Sequence, residues 1–181
     1  MRTRIISLIV IAMTTLSMNV QAQDSSTDKK VLVAYFSRSG NTRAVADHIK
    51  SLTGGDMFEI QVAKPYPEEY HACTEVAKKE KEDNARPTLK TKVENMASYD
   101  VIFIGYPNWW GTMPMPILTF LESYDFAGKK IALFATSGGS GFGKTVSRLE
   151  GSVDKSAEFV SEKLLNRAGK AEIESWLKSW M

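Results

Sequence analysis

Six residues from Ser37 to Thr42, SRSGNT, join an apolar run ending at Phe36 to a segment with helical periodicity. Their shared chemistry is hydrogen-bond donation. Ser37, Ser39 and Thr42 carry hydroxyls, and Gly40 permits a tight turn. Asn41 and Thr42 open a helix whose first amides have no intrahelical partner, and those amides, with the helix dipole, favour an anion. No lysine and no acidic metal ligand accompany them, and Arg38 is the one cation. The loop therefore suits a terminal phosphate that is held, because phosphoryl transfer calls for Lys, Arg or Mg²⁺ to neutralise charge. Ser, Asn and Thr are also ordinary N-cap residues, and the loop alone fits either use.

Two more loops carry unusual composition. Pro107, Asn108, Trp109, Trp110, Gly111 and Thr112 follow an apolar run. Adjacent tryptophans in a loop offer a large apolar face to a flat ring, and we expect one to pack on the protein and the other to face a ligand. Thr136, Ser137, Gly138, Gly139, Ser140 and Gly141 begin a glycine-rich stretch reaching Gly143. Such backbone can approach a planar heterocycle closely and turn N–H groups to its polar edge. Residues 138–145, GGSGFGKT, also satisfy the triphosphate-loop pattern G-x-x-x-x-G-K-[ST]. That use needs a later apolar strand ending in Asp, and AEFVSEKLL, the remaining strand candidate, has none.

The elements that must position these loops alternate. KVLVAYF (30–36), DVIFIGYP (100–107) and KKIALFAT (129–136) are continuous apolar runs, the pattern of strands buried on both faces. DMFEIQV (56–62) alternates like an outer strand, and AEFVSEKLL gives a fifth, weaker one. NTRAVADHIKSLT, a charged segment between Pro67 and Pro87, PILTFLESYDF, GKTVSRLEGSV and KAEIESWLKSW have helical spacing. Strand–helix alternation predicts an α/β, doubly wound three-layer sandwich with a five-stranded parallel sheet of order 2-1-3-4-5. In that order the three loops leave neighbouring strands at one edge of the sheet, where ligands of such folds bind. A dinucleotide fold is not expected, because no G-x-G-x-x-G follows a strand.

A phosphate cradle, an aromatic wall and a glycine-rich edge together describe a phosphorylated flat-ring cofactor. Here the chain resembles the flavodoxins, which bind flavin mononucleotide (FMN). SRSGNT matches their phosphate loop, [S/T]-x-[S/T]-G-N-T, at every position. YPNWWGTMPMP resembles their second flavin loop and ATSGGSGFG their third, and the resemblance spans 30–181. It implies phosphate binding by Ser37 to Thr42, a ring flanked by Pro107 to Gly111, and its other edge lined by Thr136 to Gly141. It implies no catalytic side chain and no metal. Three uses stay open: an electron carrier serving a redox partner protein, an NAD(P)H-dependent reductase of quinones or other small acceptors, and a binding scaffold without turnover.

Residues 1–22 read as a secretory signal: Arg2 and Arg4, an apolar stretch from Ile5 to Leu16, and a small residue, Ala22, at the cut. Residues 23–29 form a polar lead-in, and 30–181 the single domain. The expected location is the periplasm or the cell exterior, with no membrane span once the signal is removed. Without Arg2 and Arg4 the 23 basic residues fall to 21, equal to the 21 acidic ones. That balance argues against nucleic acid as a partner, and it departs from the strongly acidic surfaces of many flavodoxins. One cysteine, Cys73, and two histidines, His48 and His71, offer neither an internal disulfide nor an obvious metal site.

Overall fold

A computed structural model describes residues 29–143, 145, 151–153 and 156–181. The expected signal segment and most of the short helix expected over 143–153 lie outside the described residues. The elements are β1 (Val31–Tyr35), α1 (Asn41–Thr53), β2 (Asp56–Glu59), α2 (Tyr70–Glu82), a 3₁₀ turn (Met96–Ser98), β3 (Val101–Pro107), α3 (Met115–Leu121), β4 (Lys130–Thr136), β5 (Glu158–Leu164) and α4 (Lys170–Lys178).

The strands form one parallel sheet of order β2-β1-β3-β4-β5, the order expected from the sequence. Alternate residues of the central strands feed two separate cores, as a two-residue side-chain period requires. Leu32, Ala34, Ile102, Ile104 and Leu133 pack with Ile117 and Phe120 of α3. Val31, Val33, Phe103 and Phe134 pack on the other face with Val45 and Ile49 of α1 and Ile173, Trp176 and Leu177 of α4. Covering both faces is what lets β1 and β3 be apolar throughout.

The second strand is shorter than its sequence pattern. Pairing with β1 ends at Glu59, and Val62 then bridges antiparallel to Leu89. The Ala63 amide donates to the Thr88 carbonyl at 2.8 Å, and the Lys90 amide to that of Gln61 at 2.7 Å. The chain leaves the sheet there because segment 88–90 supplies the ladder that β1 no longer does.

Gly105 on β3 makes room for the ring of Phe134 on β4. A methyl group at 105 would lie 2.0 Å from Phe134 Cζ, and Phe134 is fully buried. Gly105→Ala should therefore cost about 3 kcal/mol, the upper end of overpacking penalties. Urea unfolding checks this, and Gly105→Ala/Phe134→Leu should recover part of the loss.

Candidate functional site

The carboxyl ends of β1, β3 and β4 bring the three loops to one cleft of about 970 Å³. Ser39 and Asn41 line it from the first loop, with Arg38; Pro107, Asn108 and Trp109 from the second; and Thr136, Ser137 and Gly138 from the third. Ser37, Gly40, Thr42, Gly111, Gly139, Ser140 and Gly141 shape these loops without lining the cleft, and Trp110 lines an adjoining recess.

The first loop leaves the start of α1 open. Its N-cap is Gly40, in the left-handed region at φ 84°, which has no side chain to cap the helix. The first regular helical bond runs from the Ala44 amide to the Gly40 carbonyl at 2.9 Å, and the Arg43 amide reaches Ser37 Oγ at 3.3 Å. The amides of Asn41 and Thr42 have no partner among the described residues. Ser37 thus caps one first-turn amide from outside the N-cap position, and those of Asn41 and Thr42 stay open for an anion. Asn41 Nδ2 donates to Ser39 Oγ at 3.2 Å, so the Ser39 hydroxyl keeps its hydrogen to donate. The Thr42 hydroxyl is buried and shares a 2.9 Å hydrogen bond with that of Thr136, which ties the first loop to the third. One hydroxyl hydrogen of that pair is used and one stays free. Arg38 turns to the carbonyls of Pro67 and Glu68, fastening the segment before α2 to the cleft.

The second loop is a tight turn. The Trp109 amide donates to the Thr112 carbonyl at 2.9 Å and the Thr112 amide to the Trp109 carbonyl at 3.1 Å. Trp110 (φ 54°) and Gly111 (φ 72°) between them both have positive φ, as a type I′ turn requires. That reversal sends the indoles apart. Trp109 sits edge-on to Phe36 (5.3 Å) and Tyr66 (5.1 Å), forming an apolar wall. Trp110 lies over α2, its Nε1 donating to the Thr74 carbonyl at 3.0 Å. Asn108 donates through Nδ2 to the Gly141 carbonyl, and its Oδ1 is buried with no partner among the described residues.

In the third loop Ser137 Oγ accepts from the amides of Gly139 (3.2 Å) and Ser140 (2.9 Å), a serine turn that holds the backbone in shape. The Ser137 amide donates to Asn166 Oδ1 at 2.6 Å. Asn166, Arg167 and Ala168, between β5 and α4, thereby join the cleft, with Ala44, Val45 and His48 of α1 and Tyr70 of α2. None of these was singled out as a binding residue from sequence. The α1 set follows from helical spacing, since positions 41, 44, 45 and 48 share a face. Among the described residues no acidic side chain lines the cleft, while Arg38 and Arg167 do, a balance that suits an anionic ligand.

Behind Trp109, the Tyr66 hydroxyl donates to Glu80 Oε2. Burial pushes the Glu80 carboxyl above its ordinary value, and the Tyr66 hydrogen bond opposes that rise. As pH falls, the folded protein takes up this proton before the unfolded chain does. The cost of the half-buried charge is thus present above the raised pKa and gone below the ordinary one. Tyr66→Phe should cost about 1–3 kcal/mol at pH 7, the penalty for an unpaired buried group, and less at pH 4. Urea unfolding at the two pH values measures the difference.

The family profile described as Flavodoxin matches residues 30–180. The chain belongs to the flavodoxin family. This flavodoxin is similar to two crystallised candidate flavoproteins. One, from Bacteroides eggerthii, is 36% identical with a TM-score of 0.71, over 83% of this chain and 97% of the other. The second, from Bacteroides uniformis, is 34% identical with a TM-score of 0.71, over 83% and 98%. A Lactobacillus acidophilus flavoprotein crystallised with FMN shares the fold at 24% identity and a TM-score of 0.66, over 82% and 99%. Among its described residues, no helix is long and apolar enough to cross a membrane.

Proposed function

We propose that this flavodoxin binds FMN in the cleft and serves as an electron-transfer protein. One observation carries the reading: three loops converge on the open start of α1, where two amides have no partner among the described residues. Those amides and the Ser39 hydroxyl hold the phosphate, with Ser37 and the Thr42–Thr136 hydroxyl pair supporting the loop behind them; Arg38 and Arg167 add positive charge. Pro107 to Trp109 wall one side of the ring, and Thr136 to Gly138 the other. Asn108 Oδ1, a buried acceptor without a partner among the described residues, suits an N–H on the polar edge of a flavin. Bound FMN supplies the one- and two-electron redox chemistry, and the chain supplies position and electrostatics. The apolar wall of Trp109, Phe36 and Tyr66 disfavours added negative charge beside it.

Freshly purified protein should be yellow, and the flavin released by acid should co-migrate with FMN. Colourless protein that takes up no added FMN would overturn the reading. A second reading, a reductase of small acceptors, is favoured by the recess beside the cleft. Steady oxidation of NADH or NADPH with a quinone and no added partner protein selects it; no oxidation selects the carrier.

The chain is exported in this reading, supported by the charged start, apolar stretch and Ala22 of its first residues. N-terminal sequencing of protein from the periplasmic or extracellular fraction should begin at Gln23. Recovery of the full chain from the cytoplasm alone would contradict export.

A further inference from the structure

A recess of about 360 Å³ adjoins the cleft, and the two share Arg38, Tyr70, Asn108 and Trp109. Its floor is one face of α2. Tyr70, Cys73, Thr74 and Ala77 follow each other at helical spacing, and the last three are small, which hollows the face beside Tyr70. Trp110 completes the lining.

Two aromatic side chains stand at this recess without being consumed by the core. Tyr70 is 65% exposed and Trp110 46% exposed. Trp110 is nevertheless fixed in place. Its indole donates to the Thr74 carbonyl, its own carbonyl accepts from Lys81 Nζ at 2.8 Å, and Lys78 Nζ lies 5.8 Å from its ring centroid. It also holds a left-handed backbone as a non-glycine residue, a conformation costing about 1–3 kcal/mol that concentrates at ligand sites.

We propose that the recess is a second binding site, for an uncharged planar conjugated ring bearing a ring carbonyl oxygen. The proposal rests on the FMN reading of the cleft, because the shared wall of Trp109 and Asn108 puts the bound ring beside the cofactor. The aromatic lining selects a flat ring. Among the described residues no carboxylate lines the recess, and Arg38 is the charged group in its lining. That guanidinium carries five N–H donors, of which Nη2 serves Pro67 and Glu68, leaving others for a carbonyl oxygen. The volume admits one or two rings and lies at the small end of ligand pockets.

Duroquinone is the probe, since its fully methylated ring resists addition of the Cys73 thiol. In FMN-loaded, ¹⁵N-labelled protein it should shift the Trp110 indole N–H and the Thr74 and Ala77 amides saturably. Ala77→Leu and Thr74→Phe fill the floor at independent positions. Each should weaken duroquinone at least tenfold and change FMN affinity less than twofold. Trp110→Ala, at an exposed position, should weaken duroquinone at least fivefold even where a filling variant does not fold. Shifts confined to the cleft, or duroquinone affinity unchanged in the folded variants, would overturn the site. Protein that takes up no FMN removes the cofactor reading and this proposal together; FMN uptake without shifts on α2 removes this proposal alone.

Discussion

In an Asn41→Asp variant, FMN affinity is expected to fall at least about a hundredfold while riboflavin affinity changes less than threefold. The substitution keeps the side chain's size and places a carboxylate at the first residue of α1, whose first turn holds no acidic residue. Two unit charges about 5 Å apart at an effective dielectric near 20 repel by about 3 kcal/mol, roughly a hundredfold in affinity, and the second charge of the phosphate makes this the smallest loss expected. Riboflavin lacks the phosphate and escapes the repulsion. The ligand-free protein should respond in the opposite direction. A negative charge in the first turn of a helix stabilises it by about 0.3–1 kcal/mol. Flavin fluorescence titration and urea unfolding of the apoprotein measure the two effects. Equal weakening of both flavins would remove the phosphate from the start of α1.

Gly143→Ala should weaken FMN and riboflavin alike, by at least tenfold. A methyl group at 143 would stand 2.1 Å from the Gly111 carbonyl oxygen, and φ there is 60°. The obstacle is backbone and no side-chain rotation relieves it, so the second and third loops must part. Gly111→Ala is the control. It also meets a positive φ, at 72°, but faces open space, so it carries only the strain of about 1–2 kcal/mol. An effect of Gly143→Ala no larger than that of Gly111→Ala would mean that the spacing of the two loops does not set flavin affinity. The same titrations decide it.

The sheet was legible in the sequence because β1, β3 and β4 are apolar at every turn of the pleat, and loops of distinctive composition mark their carboxyl ends. Strand order then brings those loops together. What escaped depends on neighbours far apart in the chain. Asn166 and Arg167 carry no motif, and they reach the cleft because β5 pairs with β4 and Ser137 donates to Asn166. Tyr70 lies in a segment dominated by charge, whose small residues at 73, 74 and 77 gave no apolar stripe to signal a working face. The two tryptophans looked equivalent. Their separation follows from positive φ at both Trp110 and Gly111, a local geometry that glycine at 111 hints at and tryptophan at 110 conceals. Gly143 stood out as part of a glycine-rich stretch, but its necessity comes from a backbone contact with the second loop.

The open amides of Asn41 and Thr42 grip a doubly charged phosphate in the proposed complex. The ³¹P resonance of FMN bound to the protein, followed from pH 5 to 8, tests this most directly, because a free phosphate monoester takes up its second proton near pH 6. The bound resonance should stay flat across that range, with the Asn41 and Thr42 amide signals moving on addition of FMN and not of riboflavin. A bound resonance that titrates near pH 6, with those two amides unmoved, would contradict it.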